Sequence, residues 1–250
     1  MMRGPVAIVL LGCLLAACAT EQIAAEREKA DSHYNIGIAR LASGSTKQAI
    51  AEFSQAIDSA SDNPAYHNAL GLAYLVEHRT DLAIVSLQRA VELDPKFSDA
   101  YNNLGSAYVQ QAEYDQAIKA FTQALSNPAY LTPEQAYLNL GNVYAVRGRA
   151  ADAVVEFKRA LDVAPDFAEA HNRLGHIYLE QGRVELAIAE LTLAVKQAPD
   201  LATAHQSLGF AHLSAGEKDR AKQAFQKVVD LSPTSEMAAE AMRQLKQLSQ

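Results

Sequence analysis

Six glycines recur along the chain at a nearly constant interval, and this recurrence constrains the fold more than any other feature. They are Gly37, Gly71, Gly105, Gly141, Gly175 and Gly209. The steps between them are 34, 34, 36, 34 and 34 residues. A period of this length is typical of proteins in which one small unit of structure is copied and stacked on its neighbours. The sequence therefore predicts six structural copies, with two additional residues between the third and the fourth.

The residues around each glycine repeat as well. Twelve positions after the glycine stands an alanine: Ala49, Ala83, Ala117, Ala153, Ala187 and Ala221. Sixteen positions after it stands a large apolar residue: Phe53, Leu87, Phe121, Phe157, Leu191 and Phe225. With a tyrosine after most of the glycines and a proline closing four copies, this pattern resembles the tetratricopeptide repeat over residues 30–234. The resemblance implies an all-α fold, a right-handed superhelical solenoid of six helix pairs, in which helix A carries the glycine and helix B the alanine.

The two ends of the repeat region are expected to differ from the middle. After the sixth copy, residues 235–250 predict one more helix, which would bring the total to about thirteen. Its apolar stripe would cover the exposed face of copy six and consists of Met237, Ala241, Leu245 and Leu248. The turn between helices A and B is expected to use Gly44, Gly148, Gly182 and Gly216.

The N-terminus predicts export and lipidation. Arg3 precedes an apolar segment from Val6 to Leu15 that is too short to span a bilayer. The tetrapeptide Leu15-Ala16-Ala17-Cys18 resembles the lipobox of bacterial lipoproteins. This resemblance implies a signal peptide over 1–17, a lipidated Cys18 with a spacer over 18–29, and a periplasm-facing anchor in the outer membrane of a Gram-negative bacterium. The alternative is an ordinary signal peptide in which Cys18 is incidental.

Several functional classes are disfavoured. The formal charge of -7 argues against nucleic acid as a partner. Four histidines stand four positions before a glycine and are interpreted as packing residues: His33, His67, His171 and His205. No phosphate-binding loop, nucleophile–base arrangement or metal-ligand spacing stands out from the repeat. We therefore expect no enzyme activity, no cofactor, no metal and no small-molecule substrate.

A protein partner is expected in the groove that helix A lines in this family. The residues predicted to line it are Asn68, Leu72, Asn102, Ser106, Leu138, Asn142, Asn172, His176, Gln206 and Phe210. Amide side chains can pair with a peptide backbone, and aliphatic side chains form shallow pockets. The alternative is that asparagine is simply tolerated on a solvated helix face. The absence of Lys and Arg from these positions argues against a clamp for a C-terminal carboxylate.

The insertion between copies three and four lies in residues 126–135. We expect an extended linker over 127–131 that tilts the two halves of the solenoid. Thr132 is expected to cap the next helix, with Pro133 at its first position and Gln135 reaching back in a capping box. The alternative is that the two extra residues reflect neutral drift.

In the linker, Pro128, Tyr130 and Pro133 form the pattern Pro-x-Tyr-x-x-Pro, and Leu138-Asn139-Leu140-Gly141 follows it. This pattern and the order of the segments resemble the type IV pilus biogenesis/stability lipoproteins, the pilotins of the pilus secretin (PilF/PilW/Tgl type). The resemblance implies a lipoprotein that binds a secretin subunit and assists its multimerisation in the outer membrane. The alternative is a lipoprotein adaptor that gathers peptidoglycan-remodelling enzymes in the periplasm.

Overall fold

The computed structural model describes the backbone from Gly4 to Ser249 and the side chains from Thr20 to Ser249. The side chain of Cys18 and those of the predicted signal peptide lie outside the described residues. The described backbone contains thirteen α-helices and no strand. They are α1 (Gly4–Ala42), α2 (Thr46–Ser59), α3 (Pro64–Val76), α4 (Thr80–Leu93), α5 (Ser98–Gln110), α6 (Tyr114–Leu125), α7 (Pro133–Val146), α8 (Ala150–Val163), α9 (Ala168–Glu180), α10 (Val184–Gln197), α11 (Ala202–Ser214), α12 (Lys218–Leu231) and α13 (Glu236–Leu248). The predicted all-α repeat fold is confirmed.

Close contact between the two helices of each pair explains the repeated glycine. A β-carbon built on Gly105 of α5 would lie 2.5 Å from Cε1 of Phe121 on α6. The ring of Phe121 is 1% exposed, and Ala117 beside it is fully buried. Helix A therefore approaches helix B so closely that only glycine fits opposite the large apolar side chain. This contact offsets the cost of glycine inside a helix, which is about 1 kcal/mol.

The chain divides into two compact units at the insertion. The first unit ends at Asn127 and contains α1–α6, and the second begins at Pro128 and contains α7–α13. The first has buried clusters around Phe53 and Leu87, and the second has clusters around Phe157 and Phe225. The 36-residue step in the sequence therefore coincides with the boundary between the units.

The linker is not extended throughout, so that prediction is wrong for Pro128 and Ala129, which form a turn. Proline suits such a turn because its φ is already fixed near the value that the first corner position requires. Within the first unit, Nδ2 of Asn127 donates hydrogen bonds to the carbonyl oxygen of Lys96, at 3.0 Å, and to Oγ of Ser98, at 3.2 Å. The amide of Asn127 thus attaches the start of the linker to the loop between α4 and α5.

The start of α7 agrees only in part with the predicted capping box. Thr132 is the N-cap and Pro133 the first helical residue, but the Thr132 side chain makes no capping hydrogen bond. Its ψ is 55°, whereas Ser235, which does cap α13, has a ψ of 157°. Extended backbone at the N-cap is what turns a side-chain oxygen towards the free N–H groups. Nε2 of Gln135 donates instead to Oδ1 of Asn139 at 3.2 Å.

Helix α1 runs without a break through the predicted spacer into the first copy. Tyr66 of α3 is 2% exposed and packs against α1, and its hydroxyl donates to Oδ1 of Asp31 at 2.5 Å. Arg27 forms an exposed ion pair with Asp62 at 3.1 Å. The positions that correspond to Tyr66 in the later copies are alanines that are fully buried: Ala100, Ala136, Ala170 and Ala204. Among the described residues, no helix combines the length and the apolarity needed to cross a bilayer.

The C-terminal helix packs as predicted. Ala241 of α13 belongs to the buried cluster of Phe225 and Val228. The remaining members of the predicted stripe pack against the same cluster: Met237, Leu245 and Leu248. The Oγ of Ser235 accepts a hydrogen bond from the backbone N–H of Ala238 at 3.1 Å, which fixes the start of the helix. Helix α13 therefore covers the apolar face that copy six would otherwise expose.

The turn between helices A and B requires a left-handed residue in every copy. The predicted glycines adopt it with φ between 71° and 77° in copies one, four, five and six. In copies two and three the same place holds His78, with φ 56°, and Ala112, with φ 58°. A side chain with a β-carbon is strained there by about 1 kcal/mol.

We expect His78→Gly and Ala112→Gly each to stabilise the protein by about 0.5–1 kcal/mol, because glycine removes this strain. The measurement is the urea midpoint of unfolding, and Ala215→Gly, at the α11 C-cap with φ -80°, is the control that should not stabilise. A lower midpoint for both variants would show that the side chains contribute more than the strain costs.

Candidate partner-binding groove

In the first unit, the predicted groove is formed by α3 and α5. Asn103 of α5 donates a hydrogen bond through Nδ2 to Oδ1 of Asn68 on α3, at 2.9 Å. Ser106 Oγ donates to the carbonyl oxygen of Asn102 at 3.1 Å, so this hydroxyl is used within its own helix. Leu72 is 38% exposed. Asn68 therefore joins two successive A helices, while Leu72 is a side chain that a partner could reach.

One further apolar residue on these helices was not predicted as a groove residue. Val76 follows Leu72 by one turn of α3 and is 53% exposed. Val109, which the repeat motif does place in the groove, lies near the end of α5 and is 36% exposed. Side chains four residues apart on a helix are neighbours. The sequence did contain this signal, because Leu72 and Val76 stand four apart, but the groove positions were taken from the repeat motif alone.

In the second unit, the predicted groove residues lie on α7, α9 and α11, and they differ in accessibility. Leu138 and Asn172 are buried, with 6% and 8% exposure, whereas the His176 side chain is 54% exposed. Asn142 and Gln206 are partly exposed. Phe210 is partly buried and packs edge-on against Phe225, with ring centroids 5.2 Å apart. Among these residues, His176 therefore offers the most accessible surface for a partner.

The amide of Asn172 joins neighbouring A helices, as that of Asn68 does. Its Nδ2 donates to Oγ1 of Thr203 on α11 at 3.3 Å. Its Oδ1 is the one buried side-chain oxygen or nitrogen without a hydrogen-bond partner in the described part of the chain. Asn68 and Asn172 thus support contacts between neighbouring copies. That the predicted groove residues bind a partner stays a prediction.

The histidines before the glycines are held by specific hydrogen bonds. Nδ1 of His33 lies 2.7 Å from Oε2 of Glu52, and Nδ1 of His171 lies 2.7 Å from Oε2 of Glu190. On the other side of the ring, Nε2 hydrogen-bonds a backbone carbonyl oxygen of the preceding loop, at 2.9 Å in His67 and at 3.0 Å in His171 and His205. These histidines join helix A to helix B and to the loop before it. Among the described residues, no group of three or more potential metal ligands comes together.

Copy six replaces a tyrosine–arginine stack with a histidine–glutamate pair. Arg183 lies over the ring of Tyr178 in copy five, 4.7 Å from its centroid, and copies two and four have the same stack. In copy six the equivalent residues are His212 and Glu217, with 2.7 Å between Nδ1 and Oε2. The hydrogen bond with His212 and the neighbouring Arg220 guanidinium hold the pKa of the Glu217 carboxyl below its usual value. The turn of copy six therefore differs in charge from the turns of copies two, four and five, because a carboxylate replaces the guanidinium.

Solved structures share this fold at low sequence identity. The pilF protein of Pseudomonas aeruginosa is 19% identical, with a TM-score of 0.78 over 88% of this chain and 99% of that chain. PilW, described as a widely conserved type IV pilus biogenesis factor, is 21% identical, with a TM-score of 0.77 over 85% of this chain and 98% of that chain. YrrB, a tetratricopeptide protein with an unusual peptide-binding site, is 21% identical, with a TM-score of 0.57 over 76% of this chain and 97% of that chain. No curated protein sequence matches the chain.

Family models for this repeat match most of the described helices. Models of the tetratricopeptide repeat match residues 102–162, 138–202, 30–63 and 202–235, and a further model of the same repeat matches 79–112. Proteins built from this repeat typically bind protein partners and are not typically enzymes. Because these models together cover well over half of the chain and the helix pairs follow the motif copy by copy, the chain belongs to the tetratricopeptide repeat proteins.

Proposed function

We propose that this protein is a lipid-anchored pilotin that binds a secretin subunit of the type IV pilus and assists its multimerisation in the outer membrane. Cys18 would carry the lipid and hold the repeats at the periplasmic face. The exposed part of the helix-A groove would provide the binding surface, with Leu72 and Val76 as accessible apolar side chains of its first unit. A partner segment with aliphatic residues would bury these side chains and gain affinity from their removal from water.

One observation carries this proposal. The pilF and PilW structures are matched over 99% and 98% of their own lengths, so the number and the order of the helix pairs correspond from end to end. YrrB is also matched over 97% of its length, but its TM-score is only 0.57, compared with 0.78 and 0.77 for the pilus proteins. The match therefore extends over almost the whole length of both pilus proteins, and this favours a role in pilus biogenesis.

The test is complementation of a deletion strain of the source bacterium, with heat-resistant secretin multimers as the readout. We expect the wild-type gene to restore the multimers and Cys18→Ser to fail. The double variant Leu72→Ser, Val76→Ser should reduce the multimers at least about tenfold, because two apolar contacts of about 1–2 kcal/mol each would be lost.

The matched control is Val85→Ser on α4, which removes an apolar side chain that is 64% exposed and lies outside the groove. This variant should complement fully. Normal multimers in the deletion strain would refute the pilus role. A defect in cell shape together with intact pili and co-purified cell-wall enzymes would favour the peptidoglycan adaptor instead.

A further inference from the structure

An open cleft lies between α10 and α12 in the second unit, and none of the predicted groove residues lines it. Its volume is about 460 Å³. Ile188 and Val195 of α10 form an aliphatic side, His205 of α11 lies between the two helices, and Ala224 and Lys227 of α12 form the opposite side. This set of residues is referred to below as the copy-six cleft. It combines an apolar wall with an imidazole and an ammonium group.

Copies one and five show what the imidazole four positions before the glycine binds. In copies one and five, the residue fifteen positions after the glycine is a glutamate, Glu52 or Glu190, and its carboxylate lies 2.7 Å from Nδ1 of the histidine of the same copy. In copy six that position is Ala224, which lines the cleft. The chain itself therefore contains two examples of a carboxylate at the place that the cleft leaves open.

The ring of His205 is oriented like the ring of His171 in copy five. In both, Nε2 lies 3.0 Å from a proline carbonyl oxygen of the preceding loop, Pro165 for His171 and Pro199 for His205. With Nε2 held in the same way, Nδ1 of His205 is directed to the side of Ala224, where copy five has Glu190. Within the described residues, Nδ1 of His205 has no hydrogen-bond partner of its own.

The charge of α12 also suits an anionic ligand. This helix carries four basic residues, Lys218, Arg220, Lys222 and Lys227, and two acidic ones, Asp219 and Asp230. Each of the other five B helices has at least as many acidic residues as basic ones. None of the residues that line the cleft is acidic, and Glu217, which adjoins the lining residues Arg220 and His212, is already bonded to both. Lys227 makes no ion pair with any described residue, so its charge is available.

We propose that the copy-six cleft binds an acidic segment of a partner protein. A Glu or Asp carboxylate of that segment would accept a hydrogen bond from Nδ1–H of His205 beside the Lys227 ammonium, and an aliphatic neighbour would pack on Ile188 and Val195. Because Nε2–H already donates to the carbonyl oxygen of Pro199, the bound form has the ring as imidazolium, with both nitrogens donating. A peptide is favoured over a lipid headgroup, because in copies one and five the group that pairs with Nδ1 of the histidine is a glutamate side chain next to apolar side chains. The site is separate from the helix-A groove and does not depend on the proposed role in pilus assembly.

The direct test is fluorescence anisotropy with the full chain in detergent and a labelled peptide of alternating Leu and Glu. A peptide of alternating Leu and Gln is the matched probe without charge. We expect the Glu peptide to bind at least about tenfold more tightly than the Gln peptide, because a charge-assisted hydrogen bond is stronger than a neutral one. Ala224→Glu should abolish this preference by placing a carboxylate of the chain against His205, and Lys227→Gln should reduce it.

Ala239→Glu, which adds the same charge at an exposed position of α13, is the control and should bind like the wild type. A second measurement does not depend on the choice of peptide: Ala224→Glu should have a higher melting temperature than Ala224→Gln, because only the carboxylate completes the pair with His205. Equal binding of the two peptides, unchanged binding by Ala224→Glu, or binding of short-chain phosphatidylglycerol without binding of the Glu peptide would each overturn the proposal.

Discussion

Replacing Gly105 with alanine is expected to destabilise the protein by about 2 kcal/mol, although the same substitution stabilises an isolated helix by about 1 kcal/mol. The added methyl group would lie 2.5, 2.7 and 2.8 Å from three ring carbons of Phe121. This ring is buried and cannot move aside without disturbing the packing of α5 on α6. Overpacking therefore outweighs the gain in helix propensity. The measurement is the free energy of unfolding in urea.

The sign of the effect should reverse when the ring is removed. Phe121→Ala alone should cost about 3–5 kcal/mol, because it leaves a cavity between the two helices. In that background, Gly105→Ala should stabilise the protein, since the methyl group fills part of the cavity and the helix propensity still improves. If Gly105→Ala has the same effect with and without Phe121, the close approach of the helices does not explain the repeated glycine.

Tyr66→Ala is expected to have the second large effect, a loss of about 3 kcal/mol that is concentrated in the first helix pair. The ring is buried against α1 beside Ala30 and Tyr34, and its hydroxyl bonds to Asp31. In copies three to six the equivalent residue is a buried alanine, so only copy two contributes a ring at this position. We expect faster amide hydrogen exchange over residues 20–36, measured by mass spectrometry.

Two variants separate the parts of this effect. Tyr66→Phe keeps the ring and should lose only about 1 kcal/mol, the contribution of one hydrogen bond. Tyr114→Ala, which removes a partly exposed tyrosine at the start of α6, should leave exchange in α1 unchanged. Fast exchange in α1 of the wild type, equal to that of Tyr66→Ala, would show that the ring does not fix the helix.

The repeat could be predicted from the sequence because its determinants are local and occur six times. The glycine, the alanine and the Phe or Leu of each copy all meet within one helix pair, so their spacing alone defines the contact. The capping helix was predictable for the same reason, since Met237, Ala241, Leu245 and Leu248 form one stripe. The left-handed turns were predictable only where glycine marks them, and His78 and Ala112 adopt the same conformation without that signal.

Features that depend on contacts between copies were harder to predict. The expected capping box failed because the backbone of Thr132 has a ψ of 55°, which no residue type reveals. Leu138 and Asn172 were assigned to an open groove but are buried, since the adjacent A helix covers them. The copy-six cleft was missed because its partners, His205 and Ala224, lie 19 residues apart and become meaningful only beside the pairs of copies one and five.

The unbroken helix α1 gives the proposed anchor a fixed reach. Cys18 and Gly37 lie on the same helix, 19 residues apart, and at 1.5 Å per residue their separation is about 28 Å. A disordered tether of this length would let the repeats sample a wide range of heights above the lipid surface. With Cys18 lipidated, a continuous helix would hold the repeats at a fixed distance from the lipid anchor. Inserting residues before Ala30 would then change where the repeats meet a partner without changing any residue that touches it.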